Sequence, residues 1–475
     1  MMKLPVKHQS GKGACAMAGN PVIEEKLRNF RIEDFQPITP RDLDLGRPLP
    51  PKVGNLVKVI VGMRRSGKSY RLFQEIETLR DMGIGWNRIC YVNFEDDRLG
   101  NVTPETGDEV LETFYSMHPE AMKDGMYLFF DELQEMSDWG KWLRRVVDTV
   151  KATIYVTGSS SKMLSKEIST EFRGRALDFE LLPYSFREVL LAGGGVDGDV
   201  LSRDPREGYS TTERVVLSNE FRTYLEHGGF PAALDLPAPQ RIALLQSYVQ
   251  RVVSRDVVER HDIGRPRVAS MMARRVMGVV GRQLSVRKIE NELRSAGLMT
   301  SRAMLGDLLE YFEDAYLFFR VREFSVSLSE RTTSMPKIYA IDPGLVAAAS
   351  AAGMRDDGQR LENAVYLELR RRSLGFRRDG ISSCRTETHG YEVDFVVGDM
   401  LEHDGYDLYQ VTMNMDDPAM AERETRALWE LMSERDVETG TIIVADGKEV
   451  DWKRDGRVIH QIPAWKWFLG QRGLR

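Results

Sequence analysis

Gly62-Met63-Arg64-Arg65-Ser66-Gly67-Lys68-Ser69 decides the fold. The stretch fits G-x-x-x-x-G-K-[ST] at every fixed position. Leu56-Val57-Lys58-Val59-Ile60-Val61 runs into it, a β-branched segment that predicts a strand. Tyr70-Arg71-Leu72-Phe73-Gln74-Glu75-Ile76 leads out of it with helical spacing. A chance glycine turn has no reason to carry both flanks. Strand, glycine loop and helix in this order form an anion cradle. Glycines let backbone N–H groups come close to phosphate, and the helix N-terminus adds the positive end of its dipole. Residues Gly62 to Tyr70 are therefore expected to surround the phosphates of ATP. Lys68 is expected at the β- and γ-phosphates, and the Ser69 hydroxyl on Mg²⁺.

Met126-Tyr127-Leu128-Phe129-Phe130-Asp131-Glu132 is a second marker. An unbroken apolar run predicts a strand covered on both faces of a parallel sheet. Its C-terminal end is where such sheets place working residues. Asp131 is expected to hold Mg²⁺ through its water shell, and Glu132 to polarise the attacking water. Further strands are predicted at 88–94, at 152–157 and at 176–182, with helical stretches between them. That alternation argues for a doubly wound α/β fold with a parallel sheet. Thr157 and Ser159 lie where a polar side chain meets the γ-phosphate or the attacking water; capping of the next helix is the other reading.

The order of these motifs resembles the AAA+ ATPases, with Arg173-Gly174-Arg175 falling ahead of the fifth strand. More narrowly it resembles a large group of bacterial and archaeal AAA+ proteins. The motifs that carry the likeness are Gly62-Met63-Arg64-Arg65, Phe130-Asp131-Glu132-Leu133-Gln134, Leu182-Pro183-Tyr184-Ser185-Phe186-Arg187-Glu188, Gly228-Gly229-Phe230-Pro231 and Arg255-Asp256, spanning residues 50 to 415 or so. The resemblance implies a ring-like homo-oligomer. In such a ring Arg173 or Arg175 would reach the neighbouring subunit's γ-phosphate. A pair of local salt bridges is the alternative for these arginines. Arg255 would be the lid arginine that touches nucleotide, with helix packing as its alternative.

Composition narrows the class. The chain has 475 residues, 42% hydrophobic and 29% charged, with a net charge of −6, enough for about three domains. Cys15, Cys90 and Cys384 are scattered without metal-ligand spacing, which fits a reducing cytoplasm. Apolar runs fall short of the roughly 20 residues of a membrane span, and no secretory signal is expected after Met1.

Glycine- and proline-rich breaks at 193–199, 262–266 and 353–358 suggest five parts. These are an arm (1–50), the ATPase core (51–195), a helical lid (196–264), a winged helix-turn-helix (265–352) and a C-terminal domain (353–475). In the fourth part, helices are expected at 268–280, 284–293 and 302–312, with wing strands at 315–322 and 337–341. Residues 264–323 hold eleven Lys/Arg against seven Asp/Glu, a local reversal that suits DNA phosphates. A winged helix used only for packing or protein contact is the alternative, because the third helix carries Asp307 and Glu310 and only Arg302 as base.

The last part resembles the restriction-endonuclease-like fold. The resemblance implies Glu362, Asp394 and Gln410 as its acidic and amide positions, with a lysine expected at 412. Thr412 stands there instead, and Met413-Asn414-Met415-Asp416 offers no cation. An inactive nuclease fold is the expectation. The combined reading is an ATP- and Mg²⁺-using AAA+ ATPase that acts on DNA. Two other readings share the motifs: an active metal-dependent DNA nuclease, and a slow nucleotide-dependent switch acting on a protein partner.

Overall fold

The computed structural model describes residues 20–35, 37–159, 174–193, 195–204, 207–324, 335–349, 357–373, 378–398 and 405–470. Arg173 lies outside them.

The first sheet is built from β1 (Val57–Val61), β2 (Ile89–Asn93), β3 (Met126–Asp131), β4 (Ala152–Gly158) and β5 (Ala176–Glu180). Its order is β2-β3-β4-β1-β5, all parallel. β1, β3 and β4 are buried along their whole length, as strands covered on both faces must be. Even Lys58 is buried: its ammonium donates to the carbonyls of Gly46 and Arg47 and lies over the Tyr155 ring. β1 sits next to β4 rather than β2. The loop after β1 and the ends of β3 and β4 therefore meet at one edge.

Helices cover both faces. Helix Trp139–Thr149 buries Trp142, Leu143, Val146 and Val147, a spacing that puts them on one side. Within the arm, helix Pro21–Asn29 packs beside helix Pro104–Met117, and the Asn20 amide N–H donates to Glu109.

Helices Thr211–His227 and Ala238–Arg251 follow, and the second runs straight into a π-helix, Val252–Glu259. Three more helices, Pro266–Met277, Val286–Ser295 and Arg302–Asp314, precede an antiparallel pair, β6 (Phe318–Val321) and β7 (Lys337–Ala340). β6 starts later than the sequence suggests because Tyr316 takes a left-handed turn, φ 58°. Beyond them, β8 (Ser382–Arg385), β9 (Glu392–Val397), β10 (Asp407–Thr412), β11 (Thr439–Val444), β12 (Val450–Arg454) and β13 (Arg457–Pro463) form a mixed sheet. Its order is β12-β13-β11-β10-β9-β8. The end of β6 leads into this sheet, where the Phe324 N–H donates to the Ser383 carbonyl.

Candidate active site

The loop after β1 is shaped by backbone constraints. A Cβ at Gly62 would sit 2.1 Å from the Leu181 carbonyl oxygen. Gly67 opens helix Lys68–Asp81 at φ 96°. A side chain is excluded at the first position and strained at the second. Arg41, from the arm, supports the loop from behind. Its guanidinium donates to the Ser66 carbonyl (2.9 Å), the Leu182 carbonyl (2.6 Å) and Glu188 (3.0 Å). Burial raises the Glu188 carboxyl, but Arg41 and the Ser185 N–H more than offset it and hold it at about 2. Nothing in the local sequence marks Arg41, because its partners lie up to 147 residues away.

Inside the loop, the Lys68 ammonium donates to the carbonyls of Gly62 (3.2 Å) and Met63 (3.3 Å) and pairs with Glu132 at 3.1 Å. The buried Ser66 hydroxyl has no hydrogen-bond partner among the described residues. Next to the loop, Asp131 is fully buried at the end of β3. It accepts hydrogen bonds from Ser69, from Thr157 and from the Tyr91 hydroxyl, the last at 2.9 Å. Burial and then the neighbouring Glu132 raise its carboxyl despite those bonds. Burial and then Asp131 push the Tyr91 hydroxyl well up.

Glu132 turns out of the strand at φ 51°. Its N–H donates to Thr157 (2.9 Å), and Gln134 donates to its carboxylate (2.6 Å) and to Ser159 (3.3 Å). Burial raises the Glu132 carboxyl, but Lys68, Gln134 and Arg64 outweigh it and hold it low. The structure thus groups Lys68, Ser69, Asp131, Glu132, Thr157 and Ser159. Thr157 lies within β4, and the stretch after Ser159, where the capping alternative falls, lies outside the described residues. Gln134 and Tyr91 are additions that strand and loop patterns do not reveal.

Arg64 leaves the loop towards the lid. It meets Glu95 at 2.6 Å, Glu135 at 3.2 Å and Asp256 at 3.2 Å. Arg65 is exposed with φ 70°, and Tyr70 packs on Phe73. The buried lid contact to the loop is thus Asp256. Arg255 is about half exposed and lies 3.7 Å from Glu95. Arg175 stands at the start of β5, the opposite edge from the loop, and pairs with Asp148 at 2.7 Å.

A second buried cluster lies far along the chain. Lys337 of β7 places its ammonium 2.6 Å from Glu392, 3.1 Å from Glu362 and 3.5 Å from Asp394. Tyr339 donates to Glu362 (2.7 Å), the Val411 N–H to Asp394 (2.9 Å), and Gln410 to Glu424 (2.7 Å). Among the described residues Thr412 donates only to the Asn414 carbonyl and weakly to the Met420 sulfur. A cation does stand beside Asp394, but it comes from β7 and not from the stretch after Thr412. Burial and then Glu362 push the Asp394 carboxyl up to about 8. Lys337 is raised as its carboxylates outweigh burial.

Comparison with known proteins matches the domain that holds the five-stranded sheet. Residues 54–190 match the family model described as an AAA domain, and residues 218–356 match one described as a domain of unknown function (DUF8612). An uncharacterized protein of Methanocaldococcus jannaschii, MJ1544, is 32% identical over 93% of this chain and 94% of its own length. The chain belongs to that protein's family. It carries an AAA+ ATPase fold on its five-stranded parallel sheet. A Haemophilus influenzae relative is 26% identical over 72% of this chain and 79% of its own. Among solved structures, the Walker-type ATPase PABY2304 of Pyrococcus abyssi aligns with TM-score 0.40 and 14% identity, over 62% of this chain and 90% of that one. ORC1 of Aeropyrum pernix, solved with DNA, aligns with TM-score 0.27 and 15% identity, over 63% and 86%. No described helix is long and apolar enough to cross a membrane.

Proposed function

We propose that the chain binds ATP with Mg²⁺ and hydrolyses it, in the cytoplasm. The observation that carries this reading is the Lys68 ammonium, which rests on two loop carbonyls and Glu132 beside an unpartnered Ser66 hydroxyl. Donors held this way are ready to exchange a carboxylate for phosphate oxygens. Ser69 and Asp131 offer the hard oxygen donors that suit Mg²⁺, which would neutralise charge on the β- and γ-phosphates. Thr157 holds Asp131 and the Glu132 backbone in place. Glu132, kept ionised, takes up hydrogen-bonding to water once Lys68 turns to phosphate. Gln134 and Ser159 fix the direction of its carboxylate.

Replacing Glu132 by Gln removes the base and keeps the shape. We expect ATP to bind as in the wild type while single-turnover hydrolysis falls about 10²–10⁴-fold. Equal hydrolysis rates would end the assignment of Glu132. Arg64, Arg65 and Arg255 would shape the mouth of the nucleotide site.

Assembly and partners belong to the same proposal. Arg175 is far from its own loop, so any contact it makes with phosphate is across a subunit boundary. Mixing Arg173→Ala/Arg175→Ala subunits with Lys68→Ala subunits is expected to restore part of the lost hydrolysis. A strictly monomeric ATP-bound protein in light scattering would refute the ring. The three helices and the β6–β7 pair support a winged helix that contacts DNA. The six-stranded sheet supports a restriction-endonuclease-like domain, moved with the nucleotide cycle. Lys337 sits among the carboxylates where a nuclease would hold its metal, which supports an inactive domain.

A further inference from the structure

A cleft of about 790 Å³ opens between helix Ala238–Arg251, the π-helix Val252–Glu259 and helix Pro266–Met277. Arg251, Arg255 and Arg274 line it together with Ser247, Ser254 and Ser270. No carboxylate and no aromatic ring is among its lining residues. Arg251 and Arg274 are exposed and form no ion pair with a described residue. Helix Pro266–Met277 has three arginines and no acid, in a chain whose net charge is −6.

These groups suit one kind of ligand. Guanidinium forks and hydroxyls are the donors that meet phosphate oxygens. Single-stranded nucleic acid is gripped mainly by aromatic rings that stack its bases, and none is present. A duplex presents a row of phosphates and hides its bases. An acidic protein segment also carries negative charge, but it has no comparable regular row of phosphates. We propose that this cleft holds the phosphate backbone of duplex DNA and that Arg255 connects it to the phosphate loop. The proposal rests on the reading of DNA as a partner and names where it sits.

The connection is short. Arg255 Nη1 lies 3.7 Å from Glu95 Oε1, and Arg64 Nη1 lies 2.6 Å from that same oxygen. Arg64 belongs to the loop and also holds Asp256 of the π-helix. A phosphate that draws Arg255 into the cleft leaves Glu95 to Arg64 alone. The hold on the loop then changes, and hydrolysis changes with it.

Fluorescence anisotropy of a labelled DNA duplex across a salt series tests the cleft. Wild-type binding should weaken steeply with salt. Arg251→Glu/Arg274→Glu should weaken it at least tenfold. The milder Arg251→Ala/Arg274→Ala should lower the log–log salt slope by about two, near 0.9 per lost phosphate contact. ATP hydrolysis without DNA should be unchanged in both variants, which also shows that they fold. Arg255→Ala should keep most duplex affinity and lose the change in hydrolysis that duplex causes. Wild-type protein that hydrolyses ATP but never binds duplex, or that binds polyglutamate instead, overturns both the cleft and the DNA reading. Wild-type binding that both double variants retain overturns the cleft alone.

Discussion

The phosphate loop and the Lys337 cluster are built from the same parts with opposite results. Each has a buried lysine beside carboxylates. Lys68 leans on one carboxylate and two loop carbonyls, next to a hydroxyl with no partner. Lys337 is enclosed by three carboxylates, one of which is tied to Tyr339 and another to the Val411 N–H. Weak contacts and a spare donor make a place where a ligand exchanges in. An ammonium already held by carboxylates makes a lock, because a cation from solvent would have to expel it. The difference lies in what surrounds each lysine, not in the lysine.

The contrast breaks most readily at Lys68. Lys68→Ala should raise the Kd for ATP by at least about 1,000-fold, about 4 kcal/mol, while the melting temperature changes little. Calorimetric titration reads the first and thermal melting the second. Unchanged affinity would remove the loop from the site. Lys337→Met should do the reverse: ATP affinity stays, and stability falls by about 3–5 kcal/mol because the buried Glu362 is left without its cation. Urea unfolding followed at the C-terminal tryptophans would measure it. A loss under 1 kcal/mol would mean that the cluster is not a lock.

The smallest effect sharpens the comparison through pH. Burial and the neighbouring Glu362 push the Asp394 carboxyl up to about 8, above its usual value of 3.8. A folded pKa above the unfolded one gives stability that is complete below about pH 4 and lost as pH rises through 8. Wild type should therefore lose stability from pH 6 to pH 8, with a slope of at most about 1.4 kcal/mol per pH unit. Asp394→Asn should flatten that slope. Parallel melting profiles for the two proteins across this range would count against a raised Asp394.

Legibility followed the range of the interactions. The loop, β3 and its two acids could be read directly because each is a contiguous pattern with a physical meaning. The strands of the five-stranded sheet were located within a residue or two for the same reason. Arg41, Tyr91 and Gln134 were not singled out, since their roles come from partners on other elements. Lys337 shows this most clearly. The residue pattern points to the strand of Thr412, whereas the ammonium beside Asp394 comes from β7, 75 residues earlier. Distance along the chain says nothing about which strand ends converge.

By itself the sequence determined the strand–loop–helix unit, the parallel sheet and the identity of Lys68, Ser69, Asp131 and Glu132. Backbone geometry and strand burial are local or periodic, so they leave a trace in residue order. Only the tertiary structure decided that Arg64 reaches Asp256, that Arg175 faces away from its own loop, and that Lys337 fills the second cluster. Those outcomes depend on the order of strands in the sheets and on which helix ends meet. Charge pairing across such distances is set by packing, which no short stretch of sequence encodes.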